Sequence, residues 1–173
     1  MTTPPQPARP PQRIVLEGRY ARLEPIGPGH VAALYAAASA PGADARFAWL
    51  SSHPPADEAE MAARIANAAA AADALTFAVV DRATGRAGGQ QSLMRIVPEH
   101  GVIEIGAVMW GPEIARTRLA TEALYLFASY IFDDLGYRRF EWKTNNRNDA
   151  SKQAARRFGF TFEGVFRQHM IVK

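Results

Sequence analysis

Three strand-like runs in the middle of the chain constrain its fold most strongly. They read LTFAVVD, RAGGQQSLMRI and GVIEIGAVMW, and together they cover residues 75–110 with only short interruptions. Two turn-forming segments, DRATGR and VPEHG, separate the runs. Connections this short join neighbouring strands that run in opposite directions, so the sequence predicts an antiparallel meander.

Helical patterns flank this meander on both sides. Before it, GPGHVAALYAAAS and ADEAEMAARIANAAAAAD predict two helices, and the second has acidic residues in its first turn, where the helix dipole favours them. After it, apolar residues repeat at helical spacing from Thr117 to Leu135, and Gly136 is a plausible stop. NDASKQAARRF predicts a short fourth helix with Asn148 as its N-cap and Gly159 as its terminator.

Further strands are predicted near both ends of the chain. RIVLEGRYARLEPI indicates a hairpin that turns at Gly18, and YRRFEWKTN and FTFEGVFRQHMIVK indicate two later strands. PGADARFAWLSSHPP, between the first two helices, is predicted to be a loop. The order of elements is typical of an α+β domain with one parallel βαβ step.

Length and composition suit one domain. The chain has 173 residues, of which 48% are hydrophobic and 21% are charged. The proline-rich segment MTTPPQPARPPQ, residues 1–12, predicts a flexible extended tail, and residues 13–173 form the predicted domain.

The absence of cysteine excludes disulfides and thiol catalysis and removes the commonest soft metal ligands. The four histidines are scattered without ligand spacing, so no metal site is predicted. No apolar run approaches the roughly 18 residues of a membrane span, and the N-terminus lacks a signal-peptide pattern. We therefore expect a cytoplasmic protein with no membrane partner.

Two arginines stand at the start of the third helix, in WGPEIARTRLATEALYLF. A strand, a short connection and a helix present unpaired N–H groups at the helix start, and such groups bind phosphate. Arg116 and Arg118 would add cationic donors beside those groups. The stretch is therefore interpreted either as a cradle for a diphosphate or as two solvated arginines on a surface loop.

A basic, aromatic stretch, YRRFEWKTNNRNDASKQAARR, also has two interpretations. Basic and aromatic residues in alternation are found in nucleic-acid-binding surfaces. However, strand alternation would put Phe140 and Trp142 together on a core face and leave the charges on a solvated face. With a net charge of only +3, nucleic acid is the less favoured partner.

Two segments taken together, IEIGAVMWGPEIARTRLATEAL and LGYRRFEWKTNNRNDASKQAARRFGFTFEGVFR, resemble the GNAT acetyltransferase superfamily. Within it the chain is most similar to the ribosomal-protein N-terminal acetyltransferases of RimJ/RimL type, and the similarity begins at LEGRYARLEPI. The resemblance implies the GNAT acyl-CoA N-acyltransferase fold, an α+β fold with a mixed, mostly antiparallel central sheet and helices on both faces. It also implies acetyl-CoA as cosubstrate and an amine as acceptor.

The resemblance implies a coenzyme-binding set. Backbone amides of the helix start would hold the pyrophosphate: Arg116, Thr117, Arg118, Leu119, Ala120 and Thr121. The strand 105–110 would end in a splayed bulge, where Val108, Met109 and Trp110 meet the pantetheine arm and the N–H of Val108 or Met109 serves the oxyanion. Asn148 would bind the same arm or act as a plain N-cap. Ala115 and Arg118 depart from the family's phosphate loop, which has glycine where Arg118 stands, so we expect a negative φ at Arg118 with arginine charge as compensation.

Glu104 and Ser151 are the catalytic candidates. Removing the amine proton requires a base, and Glu104 on a central strand could act through a water or could be an ordinary solvent-facing glutamate. Where many family members have a tyrosine that protonates the thiolate, this chain has Ala155. By resemblance Ser151 lies near the sulfur, and it alternatively helps to cap the helix. Phe47 and Trp49 would wall the acceptor pocket or pin their loop to the core.

The family fold has a further strand between the last two predicted here, and this sequence stops at Lys173 without it. We expect that the chain continues beyond Lys173, that another subunit supplies the strand, or that the last predicted strand shifts inward. The predicted function is transfer of acetyl from acetyl-CoA to a primary amine, on a protein N-terminus or a small molecule, by direct attack in a ternary complex. The alternatives are a catalytically weak acyl-CoA-binding homologue and a basic module associated with RNA or the ribosome. A homodimer is possible for this family branch.

Overall fold

A computed structural model describes residues 7–171. Within that range six strands form: β1 Leu16–Glu17, β2 Ala21–Pro25, β3 Ala74–Asp81, β4 Ala87–Val97, β5 Val102–Trp110 and β6 Arg139–Trp142. The α-helices there are α1 Val31–Ser39, α2 Ala43–Phe47, α3 Glu58–Ala70, α4 Arg118–Ser129 and α5 Asp149–Arg157. Among these helices none has the length and apolar character that a bilayer span needs.

The six strands form one sheet in chain order, from β1 to β6. Every neighbouring pair is antiparallel except β5 and β6, which run parallel because α4 crosses between them. The predicted meander and the predicted parallel step are both confirmed. The chain therefore has the α+β architecture, with a mixed and mostly antiparallel sheet.

Helices cover both faces of the sheet and bury a separate apolar cluster on each. On one face α4 packs Ala123, Leu124 and Phe127 against β3 and β5, and the ring of Phe127 meets that of Phe77 edge-on at 5.3 Å between centroids. On the other face α1 and α3 pack against the opposite side of the same strands. Alternation along β3 supplies both clusters, because Phe77 and Val79 point to one face and Ala78 and Val80 to the other.

The carboxylate of Glu122 ties the second turn of α4 to the turn between β1 and β2. It accepts three main-chain N–H groups, from Arg19 at 2.8 Å and from Tyr20 and Ala21 at 2.6 Å each. Burial alone would raise the pKa of Glu122, but these three hydrogen bonds outweigh burial and lower it. The helix that follows β5 is thus anchored at the far edge of the sheet.

Two predicted elements differ in detail from the structure. The segment PGADARFAWLSSHPP, predicted as a loop, contains the short helix α2, which buries Phe47. The predicted third helix is α-helical as α4 and then continues as a π-helical turn, Tyr130–Asp134. Gly136 ends it with a φ of 78°, as predicted.

The predicted final strand is wrong for the residues that the structure describes. Residues 158–171 contain no strand, and Val172 and Lys173, the last two residues of that prediction, lie outside the described range. The segment exposes large apolar side chains, with Phe162 and Phe166 at 66% and 65% exposure. Alternating sequence alone does not make a strand, because a strand needs a hydrogen-bonding neighbour, and within residues 7–171 this segment has none.

The predicted tail is only partly within the described range. Residues 1–6 lie outside it, and residues 7–12 dock against the domain rather than projecting freely. The N–H of Ala8 donates to the carbonyl of Pro98 at 3.0 Å, and that of Arg9 to Leu135 at 2.9 Å. Ala8 is buried in the cluster under α4, so the ordered part of the chain begins before residue 13.

Replacing Glu122 with glutamine should destabilise the fold by about 1–3 kcal/mol, since hydrogen bonds to a charged group are stronger than those to a neutral amide. The lowered pKa of Glu122 means that its contribution is present above the unfolded-state pKa of about 4.3 and is lost as the pH falls through the folded-state value. Urea unfolding of both proteins between pH 3 and 7 measures this. The difference should shrink at the acidic end. Asp73→Asn should change stability little at any pH, because this exposed carboxylate accepts no N–H among residues 7–171.

Candidate functional site

A bulge near the end of β5 opens the sheet. The register with β4 shifts by one residue between the pairs Ser92–Gly106 and Gln90–Met109, and Ala107 takes a left-handed φ of 49°. On the other side β6 pairs with β5 only as far as Ile105. Within the described residues β5 therefore continues from Gly106 to Trp110 without a strand neighbour on that side. The splayed bulge implied by the sequence resemblance is confirmed.

Two glycines of β4 hold the connection that follows β5. Ile114, in the middle of that connection, is 1% exposed. A Cβ on Gly88 would lie 2.7 Å from Ile114 Cγ2, and one on Gly89 would lie 2.6 Å from the carbonyl oxygen of Met109. Only glycine allows this close approach, so the pair in RAGGQQ fixes where the chain enters α4.

Thr117 is the N-cap of α4 and decides which amides at the helix start stay free. Its hydroxyl donates to the carbonyl of Ile114 at 2.6 Å and accepts the N–H of Leu119 at 3.1 Å. The N–H groups of Thr117 and Thr121 also have main-chain acceptors. Among residues 7–171 no acceptor is found for the N–H groups of Arg116, Arg118 and Ala120.

Of the six residues whose amides were predicted to hold the pyrophosphate, two combine a free N–H with an exposed position. Ala120 is fully buried, whereas Arg116 and Arg118 are exposed. Arg118 keeps a negative φ, as predicted, and Arg116 instead adopts the left-handed conformation with a φ of 64°. A left-handed arginine costs about 1–2 kcal/mol, so the connection holds a strained residue next to the helix start.

The two arginine side chains differ in what they contact. The guanidinium of Arg118 lies over the ring of Tyr20, 4.1 Å from its centroid. The side chain of Arg116 is exposed and makes no hydrogen bond or ion pair within the described residues. The two predicted cations therefore differ: the guanidinium of Arg118 packs on the β1–β2 turn, whereas that of Arg116 is free to bind a ligand.

Glu104 is buried and ion-paired, not solvent-facing. Its Oε2 accepts from Arg95 Nη1 at 2.8 Å and from Lys143 Nζ at 2.6 Å, and its side chain is 6% exposed. Arg95 reaches it because a second bulge, in β4, gives Arg95 a left-handed φ of 48°. The other carboxylate oxygen, Oε1, has no hydrogen-bond partner among the described residues.

Lys143 joins Glu104 to a further carboxylate, Glu141. Burial alone would lower the pKa of Lys143, but its hydrogen bonds to Glu104 and Glu141 outweigh burial and raise it. Lys143 is thus an ammonium at neutral pH. The sequence reasoning named neither Lys143 nor Arg95 as a partner of Glu104, although the alternation in RRFEWK put Lys143 on the charged face of its strand. That alternation is confirmed, because Phe140 and Trp142 pack against the core under α4.

Asn148 and Ser151 act together at the start of α5. The side chain of Asn148 accepts the N–H of Ser151 at 3.1 Å, so Asn148 is the N-cap as predicted. The hydroxyl of Ser151 does not cap the helix and instead accepts the indole N–H of Trp142 at 2.9 Å. This bond fixes the hydroxyl oxygen next to the end of β6, on the side where β5 and β6 diverge.

An open cleft of about 520 Å³ lies beside the bulge of β5, on the face that carries α1 and α3. Its lining combines apolar with polar side chains: Phe47, Leu50, Ser51, Ser52, Met61, Arg64, Gln90, Ala107 and Met109. Phe47 therefore both packs in the core and walls the cleft, and Trp49 is not part of the lining. The sequence predicted a site role for neither Arg64 nor Gln90, because neither residue belongs to a recognisable motif. Residues 7–171 contain no group of three or more histidine, aspartate or glutamate side chains able to hold a metal ion.

The model of the acetyltransferase (GNAT) domain family matches residues 21–161. A GCN5-related N-acetyltransferase from Brucella melitensis superimposes with a TM-score of 0.95 at 52% identity, over 97% of this chain and 76% of its own. A GNAT-family protein from Chromobacterium violaceum gives a TM-score of 0.90 at 37% identity, over 100% of this chain and 86% of its own. A comparison with curated protein sequences gives no match.

A more distant likeness extends to ribosomal-protein acetyltransferases. An enzyme from Salmonella typhimurium that modifies the N-terminal serine of ribosomal protein L7/L12 superimposes with a TM-score of 0.78 at 18% identity, over 92% of each chain. At that identity the likeness concerns the fold. Because the family model spans most of the domain and relatives at 52% and 37% identity share its architecture, this chain belongs to the GNAT acetyltransferases, in the group represented by the RimJ/RimL-type family model.

Proposed function

We propose that this acetyltransferase moves acetyl from acetyl-CoA to a primary amine by direct attack in a ternary complex. The observation that carries the proposal is one juxtaposition: the unpaired edge of β5 leads to the uncapped amides at the start of α4. On the other side of the bulge lies an open cleft lined by both apolar and polar side chains.

The residues at this junction fit the coenzyme. The N–H groups of Arg116 and Arg118, with the guanidinium of Arg116, would hold the pyrophosphate at the positive end of the α4 dipole. The strained backbone of Arg116 supports a functional role for this connection. The edge of β5 that faces away from β4, from Val108 to Trp110, would hydrogen-bond the pantetheine arm as an added strand, and Asn148 would bind the same arm. When bound, the coenzyme supplies an activated thioester.

On the acceptor side we assign the base role to Glu104, acting through a water. Its free Oε1 can orient that water, while Arg95 and Lys143 hold Oε2 and keep the side chain in one position. An α-amine has a pKa of roughly 8, so only a modest shift in proton affinity is required to release its proton. The N–H of Val108 or Met109 at the bulge would stabilise the oxyanion.

Ser151 would donate its hydroxyl proton towards the leaving sulfur. Its oxygen already accepts from Trp142, so the hydroxyl hydrogen is free to point elsewhere. A serine is a weak acid, and Ala155 offers no ionisable group. This favours, as a second candidate, a slow enzyme whose main role is to bind acyl-CoA. An RNA-binding role has less support, because Arg139 and Lys143 are committed to ion pairs with Glu163, Glu141 and Glu104.

Arg116→Ala should weaken acetyl-CoA binding by about tenfold or more, because it removes a free guanidinium that forms charge-assisted hydrogen bonds. Arg118→Ala is the matched control in the same connection. Since its guanidinium lies on Tyr20, its loss should weaken binding less. Isothermal titration of acetyl-CoA into both variants compares the two losses of affinity. Equal losses would mean that only the net charge of the connection matters.

Glu104→Gln should lower kcat by about 10²-fold or more and change acetyl-CoA affinity little, since general-base catalysis contributes roughly 10²–10⁴-fold. The wild-type rate should rise as the pH approaches roughly 8, because the acceptor α-amine loses its proton there. Steady-state rates over a pH series test this, with the melting temperature measured in parallel because the change removes the ion pairs of Glu104 with Arg95 and Lys143. A variant with the wild-type rate at every pH would rule out the base.

Ser151→Ala should reduce kcat by a smaller factor than Glu104→Gln does. It also deprives the Trp142 indole of its acceptor, which costs about 1 kcal/mol of stability. Trp142→Phe is the matched control, since it breaks the same bond and keeps the hydroxyl. If thermal melting shows similar losses for both variants but only Ser151→Ala is slower, the hydroxyl acts in the reaction. Equal rates in the two variants would assign Ser151 to structure alone.

A further inference from the structure

We infer that the acceptor is a compact amine with an apolar body and a carboxylate, and that Arg64 on α3 binds this carboxylate. The inference rests on the proposed acetyl transfer and names the acceptor class of the same site. It comes from the wall of the cleft beside the β5 bulge, where one cation faces apolar side chains.

The cleft offers an apolar surface to the body of the acceptor. Phe47, Leu50, Met61 and Met109 contribute side chains to its lining. An acceptor that fills it gains from contact with this surface in proportion to its apolar area.

Arg64 is held in position with donors to spare. Its Nε donates to Glu60 Oε1 at 3.1 Å, its Nη2 donates to the same oxygen, and its Nη1 donates to the carbonyl of His53 at 2.6 Å. A guanidinium has five N–H donors, so two have no acceptor among the described residues. A planar fork fixed in this way suits a carboxylate better than a flexible lysine would.

Glu60 orients Arg64 and does not offer a site for a second ammonium. Its Oε1 is occupied by Arg64, and its Oε2 accepts the N–H of Ala56 at 2.8 Å. The hydrogen bond from Ala56, followed by that from Arg64, lowers the pKa of Glu60, so the carboxylate is ionised at neutral pH. The lining itself contains no aspartate or glutamate among the described residues.

This arrangement discriminates between classes of amine. A polyamine would bring a second ammonium into a cleft whose lining contains a guanidinium and no carboxylate, and burying a charge without a counter-ion is costly. Gln90 adds an uncharged side chain next to the bulge that can hydrogen-bond the acceptor. It pairs with Met109 in the sheet, and its side-chain amide has no hydrogen-bond partner among residues 7–171, so it can accept an N–H of the reacting amine.

Three probes test the inference: L-leucine, isoamylamine, which is leucine without its carboxylate, and spermidine. Binding is measured by calorimetry in the presence of coenzyme A, and acetylation is measured separately with acetyl-CoA. We expect leucine to bind at least tenfold more tightly than isoamylamine, and spermidine to bind most weakly. Arg64→Gln should remove the preference for leucine by raising its KM without changing that of isoamylamine, and Arg64→Lys should restore part of it.

Arg138→Gln is the control, because Arg138 is also held by one main-chain carbonyl, that of His100, and lies outside the cleft. It should retain the leucine preference. The melting temperature of each variant separates a lost contact from a lost fold, and the lysine variant keeps the test valid if the glutamine variant unfolds. Equal binding of leucine and isoamylamine, no binding of leucine, or a preference for spermidine would overturn the inference. Selective leucine binding without any acetylation would support the inference and count against the proposed function.

Discussion

One extra residue in β5, accommodated by the left-handed backbone of Ala107, is the constraint on which the site depends. In a regular strand every second side chain points to the same face. The bulge shifts this alternation by one, so Ile103 and Ile105 before it and Val108 and Trp110 after it all pack on the side of α4. Met109 is thereby turned to the other face, where it lines the cleft. The bulge therefore follows the last residue that pairs with β6, Ile105, and also turns Met109 into the wall of the cleft.

A second bulge, in β4, determines how the buried carboxylate of Glu104 on β5 is neutralised. Glu104 stands on a central strand where water has little access, and an unpaired charge in that position would be strongly unfavourable. The left-handed turn at Arg95 brings one cation from β4, and Lys143 brings another from just beyond β6. These pairs connect three strands at the place where two of them begin to diverge. They hold β5 and β6 in register at the point where the two strands separate, and they leave Oε1 of Glu104 without a partner among the described residues.

Local patterns made most of the fold predictable, and long-range contacts explain what was not. The meander, α3, α4 and the Asn148 cap depend on residues within one or two turns of each other, so periodicity and capping rules located them. The helix start was also recognisable from its two arginines. Which of its amides remain free depends on the hydroxyl of Thr117, and which arginine remains free depends on Tyr20, about a hundred positions earlier in the chain. Likewise Glu104 is identifiable as a strand residue, but its burial and partners are set by neighbouring strands. Residues 160–171, the described part of the segment after Gly159, alternate like a strand and still form none, because pairing requires a neighbour that the pattern cannot supply.

The anchoring of α4 to the β1–β2 turn links two regions that differ greatly in intrinsic stability. β1 has only two residues and lies at the edge of the sheet, where opening fluctuations are frequent. Yet its turn holds Glu122 through three N–H groups and supports Arg118 through the Tyr20 ring. An opening of this hairpin therefore also releases the second turn of α4. Because the two regions are linked in this way, binding of an anion at the helix start would slow the exchange of the Arg19, Tyr20 and Ala21 amides with deuterium. Exchange at β1, the edge strand of the sheet, would thus report anion binding at the start of the helix that connects β5 to β6.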